Sequence, residues 1–303
     1  MQHDRDWSHY NKQLVNRGKI NFWIKSETLE GWKAKKVKKN GRPFIYADAA
    51  VLAMLYIRFK FHLSLRELEG FFLSLWGYLK KEDQVPCYTQ VCRRMKRMKL
   101  PEELVSKKQV TDSVFDPTGL KVYGVGEWRG KKYGGKRGWK KLHLAMDLKS
   151  KKLILCEVSD EYTHDATYLE EALKRASRKK GKILFDGAGD TKKCYAISEK
   201  YNKQLLTPPK KGAILHKEEG YERRNEALCI IRGLGGDKLA RSLWEKLVGY
   251  NHRVEIESAI ARWKKIYGDH LKSRTEERMH KEVFIKAQML NEMTRIKGHR
   301  ETT

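Results

Sequence analysis

The stretch 249–264 constrains the fold more than any other, because as a helix it must serve two faces at once. At about 100° per residue, Ile256, Ile260 and Trp263, with Tyr267 just beyond, fall near 240°, 280°, 220° and 260°, an apolar stripe that needs a core to cover it. Tyr250, Arg253, Glu257 and Lys264 fall at roughly 0°, 300°, 340° and 320°, a second stripe beside the first. Glu255 points to roughly 140°, away from both. A carboxylate that does chemistry has to be held beside a packed face, so this geometry selects Glu257. Asn251 is a candidate N-cap, which leaves Tyr250 just outside the helix. A surface helix with Arg253 and Glu257 as an ordinary i,i+4 ion pair has the same spacing, so the decision rests on the remainder of the chain.

The charge of the chain points to its partner. Over 303 residues, 65 Lys and Arg stand against 38 Asp and Glu, a formal net charge of +27 spread along the whole length. A surplus of that size predicts a polyanion, because each phosphate neutralised releases counterions. Nucleic acid comes first and anionic membrane second. The longest apolar run, 49–57, is nine residues between Asp48 and Arg58, against about 20 for a membrane span. Neither a signal peptide nor a lipidation motif is read, so the expected place is the cytoplasm, associated with the nucleoid, with no membrane partner. The five cysteines, Cys87, Cys92, Cys156, Cys194 and Cys229, contain no Cys-x-x-Cys pair. They indicate neither a disulfide framework nor a zinc site.

Patterning divides the chain into three parts. Residues 1–47 form a basic and aromatic arm ending in a lysine-rich run broken by Gly41 and Pro43. Residues 48–105 read as a helical block: a helix from Asp48 to about Phe61, and a second opened by the capping box Ser64 to Glu67. A third, capped by Thr89, carries Arg93, Arg94, Lys96, Arg97 and Lys99. Helix, turn and basic helix suit DNA binding, although the connection is longer than in helix-turn-helix readers. From 106 to 303 the pattern becomes α/β. Strands are expected over 109–114, 120–124, 142–146 and 152–158, making a three-stranded meander, with the Asp116 segment as a break between the first two. The connecting stretch 128–141 has seven basic residues, four glycines, three aromatics and no acid. Lys131, Lys132, Lys136 and Arg137 are therefore expected to touch DNA phosphates there. A helix over 167–177, a buried strand over 183–185 ending at Asp186, a helix over 192–200 and a strand over 204–206 follow. A basic, mostly helical insertion over about 208–248 precedes the two-faced helix. A last amphipathic helix carrying Val283, Ala287, Leu290 and Met293 is expected to pack on this same domain.

Asp116 and Asp186 each follow an apolar run, and Glu257 sits on a packed helix. Three converging carboxylates repel one another, and at least one pKa should rise. Bound Mg²⁺ or Mn²⁺ removes that conflict, since hard cations take oxygen ligands. Two such ions activate an attacking oxygen and stabilise a leaving one in phosphodiester chemistry. Arg253 and Lys264 are then placed to hold phosphate, and Tyr250 to stack on a base.

The sequence Phe115-Asp116-Pro117-Thr118-Gly119-Leu120-Lys121-Val122-Tyr123, the triplet Asp186-Gly187-Ala188 and the spacing of Tyr250, Arg253, Glu257 and Lys264 resemble the bacterial DDE insertion-sequence transposases of the insertion-sequence-five family. Arg224-Asn225 and Gly41-Arg42-Pro43 are similar to that family too. The resemblance implies a ribonuclease-H-like catalytic core, an N-terminal all-helical DNA-binding domain and a small helical insertion before the last catalytic helix. It implies a metal-binding triad of Asp116, Asp186 and Glu257, with Mg²⁺ as cofactor and Mn²⁺ able to substitute. It further implies binding to the double-stranded terminal inverted repeats, strand transfer into target DNA, and a homo-oligomer on DNA. Two positions depart from the pattern: Pro117 where serine is more usual, and Gly189 where an aromatic is common. The rival expectations are a two-metal nuclease that hydrolyses without joining, and a decayed transposase that binds DNA but does not cut it.

Overall fold

A computed structural model of the chain describes residues 6–35, 43–80, 84–122, 139–210 and 212–295. The chain divides into two compact units, one of residues 1–101 with 273–303, the other of residues 102–272.

The first unit is helical: α1 (Trp7–Gly18), α2 (Ile20–Trp23), α3 (Ser26–Glu30), α4 (Asp48–Lys60), α5 (Leu65–Gly77) and α6 (Tyr88–Arg97). The run that is too short to span a membrane becomes the buried helix α4, with Val51, Met54, Leu55, Ile57 and Phe59 in the core. Ser64 and Glu67 form the expected capping box at the start of α5. That helix buries Leu68, Phe72 and Trp76, and Trp32 packs on the last two with ring centroids 5.9 and 4.8 Å away. α6 begins one residue before Thr89, with Cys87 as its N-cap.

The last helix, Glu276–Arg295, belongs to this unit and corrects the expectation that it would pack on the α/β domain. Its apolar face, with Val283, Ala287, Leu290 and Met293 all buried, lies against α4 and α6. Within that contact Lys286 Nζ donates to Glu282 Oε1 at 2.7 Å, both side chains out of water, and Arg17 donates to the Met293 carbonyl at 3.0 Å. An amphipathic face specifies that it needs a partner and leaves open which one.

The second unit is mixed α/β around a central mixed sheet of order β3-β2-β1-β4-β5. β1 (Ser113–Val122), β2 (Trp139–Asp147) and β3 (Leu153–Asp160) form the antiparallel meander, and β4 (Gly181–Leu184) and β5 (Lys203–Leu206) run parallel to β1. A short β6 (His270–Leu271) pairs with the far end of β1. One face of the sheet, including Phe115, Ala145 and Leu155, buries α7 (Ala166–Lys174) and α8 (Lys192–Lys200) through Leu169, Leu173, Cys194 and Tyr195. The insertion supplies α9 (Glu222–Gly233) and α10 (Lys238–Val248), and α11 (Val254–Tyr267) packs on β1 and β2.

The expected strands over 109–114 and 120–124 meet in one continuous β1, Ser113–Val122, with residues 109–112 before it and residues 123–124 outside the described residues. Proline and glycine after Asp116 read as a break, yet Pro117 lies opposite His143 within the β1–β2 ladder. Between Val114, the last residue paired with β4, and Lys121, the first paired with β6, β1 has, among the described residues, a strand on one side only. A proline N–H is dispensable on such an edge segment. Among the described residues no helix is long and apolar enough to cross a membrane.

Candidate active site

The gap beside β1 is where the acidic residues gather. Val114 pairs with Leu184 in the parallel ladder, and Asp116 and Asp186 each lie two residues further on. With a side-chain period of two, continuing that register places both aspartates at one level on one face. Asp116 therefore stands inside β1, not after a strand as expected. Asp186 leaves β4 in extended conformation (φ −66°, ψ 179°) and caps a 3₁₀ turn, Gly187–Gly189, by accepting from the Ala188 N–H at 3.0 Å. Its backbone carbonyl accepts from Thr207 Oγ1 at 2.6 Å, which ties the end of β4 to the end of β5.

α11 brings in the third acid. Ile256, Ala259, Trp263 and Tyr267 are buried, so the apolar stripe is the footing of the helix. Glu257 stands at its edge, and Arg253 Nη2 donates to Glu257 Oε1. Arg253 Nη1 lies 3.5 Å from Asp116 Oδ1. The guanidinium thus bridges the first and third acids of the site, Asp116 and Glu257. Glu255 faces elsewhere and is engaged by Lys151 and by His252 Nδ1 at 3.0 Å.

Electrostatics links all three acids. Burial pushes the Asp116 pKa up to about 6; Arg253 opposes this, and the Asp186, Glu257 and Asp165 carboxylates add to it. Their mutual repulsion is felt, but the spacing is not that of a closed ligand shell: among the described residues no three His, Cys, Asp or Glu side chains are drawn together tightly enough to hold an ion as they stand. The donor set is nevertheless the hard-oxygen kind that Mg²⁺ and Mn²⁺ take. Beneath Asp116, on the other face, His143 is sandwiched between Phe115 and Tyr168, with ring centroids 6.1 and 4.0 Å away. Burial pushes its pKa down to about 4, against the pull of Asp165.

The remaining predicted site residues separate into several groups. Tyr250 does not present its ring for stacking on a base, a correction to the helical arithmetic. Gly249 adopts left-handed φ +80° and residues Tyr250–Arg253 form a 3₁₀ turn, so Asn251 caps nothing and Tyr250 is rotated inward. It is 6% exposed and packs 5.9 Å from Trp244. Burial, reinforced by Asp186, Glu245 and Asp116 and opposed by Arg253, pushes its hydroxyl pKa up. Lys264 is exposed on α11, about two turns beyond Glu257. In the helical unit Arg93 and Arg97 are exposed and Arg94 is not free: it donates to the Tyr46 carbonyl at 3.0 Å and to Asp48 at 2.5 Å, and lies 3.8 Å over the Phe44 ring. The three arginines line a cleft of about 280 Å³ with Phe44, Ile45 and Gln90. Lys131, Lys132, Lys136 and Arg137 lie outside the described residues. Sequence reasoning passed over Asp190, whose buried side chain is bound by Arg224 at 3.0 Å. Its only signal was an acid and a base at the two ends of motifs read separately.

Two family profiles, both described as transposase DDE domain, match the chain: one over residues 107–291, the other over residues 15–125. Among solved structures, the Drosophila P element transposase strand transfer complex is similar at 11% identity and a TM-score of 0.30, covering 92% of this chain and 70% of that one. A likeness so distant carries no detail across.

Proposed function

The chain belongs to the transposase DDE domain family and is a DDE-type transposase, and from that premise we propose that it binds the terminal inverted repeats of a bacterial insertion sequence of the insertion-sequence-five family, cuts the DNA and joins the ends to a target. The observation that carries this reading is the convergence of Asp116 on β1, Asp186 after β4 and Glu257 on α11, with Arg253 between the first and the last. An antiparallel meander extended by two parallel strands, with one acid within the first strand and the next at the end of the fourth, supports a ribonuclease-H-like core.

Asp116, Asp186 and Glu257 are the residues that would hold Mg²⁺, or Mn²⁺ in its place. When bound, two such ions supply activation of the attacking oxygen and stabilisation of the leaving one. Arg253 keeps Asp116 and Glu257 from repelling and offers its remaining N–H groups to a phosphate, a planar fork suited to that ligand. Lys264 adds positive charge on the exposed side of α11. Tyr250, packed on Trp244, supports the turn that aims Arg253. In the helical unit, Arg93 and Arg97 contact the DNA backbone, and Lys131, Lys132, Lys136 and Arg137 do so from the other unit. A homo-oligomer holds the two element ends together on DNA, in the cytoplasm at the nucleoid.

The experiment is strand transfer by the purified protein on a labelled oligonucleotide copy of the repeats flanking its gene, with Mg²⁺, with Mn²⁺ and with chelator. Metal-dependent joined product is expected. Cleavage without joining turns the reading toward a nuclease, and binding without either toward a protein that has lost its chemistry.

A further inference from the structure

We propose that Asp190, held by Arg224, Tyr195 and the Lys210 backbone, is a positioning residue that sets the Asp186 loop for divalent-cation binding. The proposal rests on the metal-dependent reading of the site and names the part of the chain that prepares it.

Two aspartates flank the single 3₁₀ turn after β4, and their environments assign them different work. Asp186 is partly exposed and accepts one bond within its own turn. The Asp190 side chain is 1% exposed and its oxygens are occupied: Oδ1 accepts from Arg224 Nε at 3.0 Å and from Tyr195 Oη at 3.2 Å, and Oδ2 from the Lys210 N–H at 2.9 Å. A carboxylate so committed anchors the loop and has no room to ligate an ion.

The anchor ties the loop to α8, to the segment after β5 and to α9. Lys210 follows Pro208-Pro209 beyond β5, and the same short segment holds the Asp186 carbonyl through Thr207 and is itself held by Arg241 Nη1, which donates to the Pro209 carbonyl at 2.8 Å. Arg224 is 8% exposed, donates to the Ile214 carbonyl at 2.7 Å and lies 5.5 Å over the Tyr221 ring. Its neighbour Asn225 clasps His216 through both backbone groups. Arg224 thus fastens the insertion to the loop that carries Asp186, and Asn225 braces the insertion internally. Outer partners of this kind set ligand orientation, and their loss typically weakens metal binding about 10- to 100-fold.

Removing one partner leaves the other buried and uncompensated, which threatens folding, so the neutral double variant Asp190→Asn/Arg224→Gln is the main probe. Arg224→Lys keeps the charge, and Tyr195→Phe keeps the ion pair. Glu282→Gln/Lys286→Gln removes the buried pair of the helical unit as a control for general loss of stability. The readout is Mn²⁺ binding to the full chain by electron paramagnetic resonance, with circular dichroism melts alongside. The expected result is a half-saturating Mn²⁺ concentration raised roughly tenfold in Asp190→Asn/Arg224→Gln, smaller rises in Arg224→Lys and Tyr195→Phe, and none in the control. A folded double variant that binds Mn²⁺ like the wild type overturns the proposal alone, as does an equal rise in the control. If the double variant does not fold, Tyr195→Phe decides in the same way. Wild-type protein that binds no Mn²⁺ overturns the metal reading and this inference together.

Discussion

Arg253 stands between two acids: its Nη1 lies 3.5 Å from Asp116 Oδ1, while its Nη2 donates to Glu257 Oε1. The cation opposes the burial that pushes Asp116 up to about 6. Arg253→Gln is therefore expected to raise the Asp116 pKa further, and Arg253→Lys to restore part of the depression. Carbon NMR of labelled aspartate across a pH series measures it, and a titration unmoved by Arg253→Gln excludes the pairing.

Asp116 also makes stability depend on pH. Its folded pKa is raised, so the folded state holds a proton that the unfolded chain releases first, and stability falls as pH climbs from about 4 to about 6. Asp116→Asn abolishes that pH dependence. The variant should match the wild type below pH 4 and exceed it above pH 6 by up to about 3 kcal/mol. Urea denaturation at three pH values in chelator decides, and a difference between the proteins that does not grow with pH refutes the burial argument.

Gly189 owes its identity to space. Its φ is not in the left-handed region, but a Cβ there would meet Phe185 Cδ1 at 2.6 Å, and Phe185 is fully buried against Phe115 at a centroid distance of 4.9 Å. Gly189→Ala should cost about 1–3 kcal/mol by overpacking, and less in a Phe185→Leu background. Thermal melts of the two single variants and the double variant measure the coupling; additive effects would falsify a direct contact. The departure at Gly189 is thus matched to Phe185 and removes no ligand.

What could be read from the chain was what is local. Ser64 and Glu67 are three apart and found each other as a capping box; Ile256, Trp263 and Tyr267 share a stripe at helical spacing and are buried. What could not be read depends on neighbours distant in sequence. Pro117 looked like a break because the free edge that tolerates it is set by where β4 ends and β6 begins. Tyr250 was placed by α-helical arithmetic, which a left-handed glycine and a 3₁₀ turn rotate. Asp190 and Arg224 are 34 residues apart and nothing local joins them. The last helix showed its apolar face and not the helices that cover it.

Glu257 and Glu255 offer a contrast within one turn of α11. Glu257 faces Arg253 and the Asp116 side, whereas Glu255 is engaged by Lys151 and His252. Glu257→Ala should abolish metal-dependent joining while DNA binding stays within about threefold, under 1 kcal/mol. Glu255→Ala loses only partly exposed pairs, worth about 1 kcal/mol or less of stability, and should keep joining. Gel assays of the two variants side by side are sufficient. Joining that survives in Glu257→Ala removes that residue from the triad.

The arginines of α6 should also divide, although they sit within a few residues of one another. Arg94 is 11% exposed and occupied by Asp48, the Tyr46 carbonyl and the Phe44 ring. Arg94→Ala removes a charge-assisted bond and a cation–π contact, and should destabilise the helical unit by about 1–3 kcal/mol. Arg93 and Arg97 are exposed, so replacing both by Ala should leave the melting temperature nearly unchanged. It should lower the slope of log binding constant against log salt by about two phosphate contacts. The same measurement on Lys131, Lys132, Lys136 and Arg137 replaced together should lower the slope by up to about four contacts. Fluorescence anisotropy over a salt series reads each slope directly. If Arg93→Ala/Arg97→Ala weakened binding with no change in slope, those side chains would not neutralise phosphates, and α6 would have to act on DNA through uncharged contacts instead.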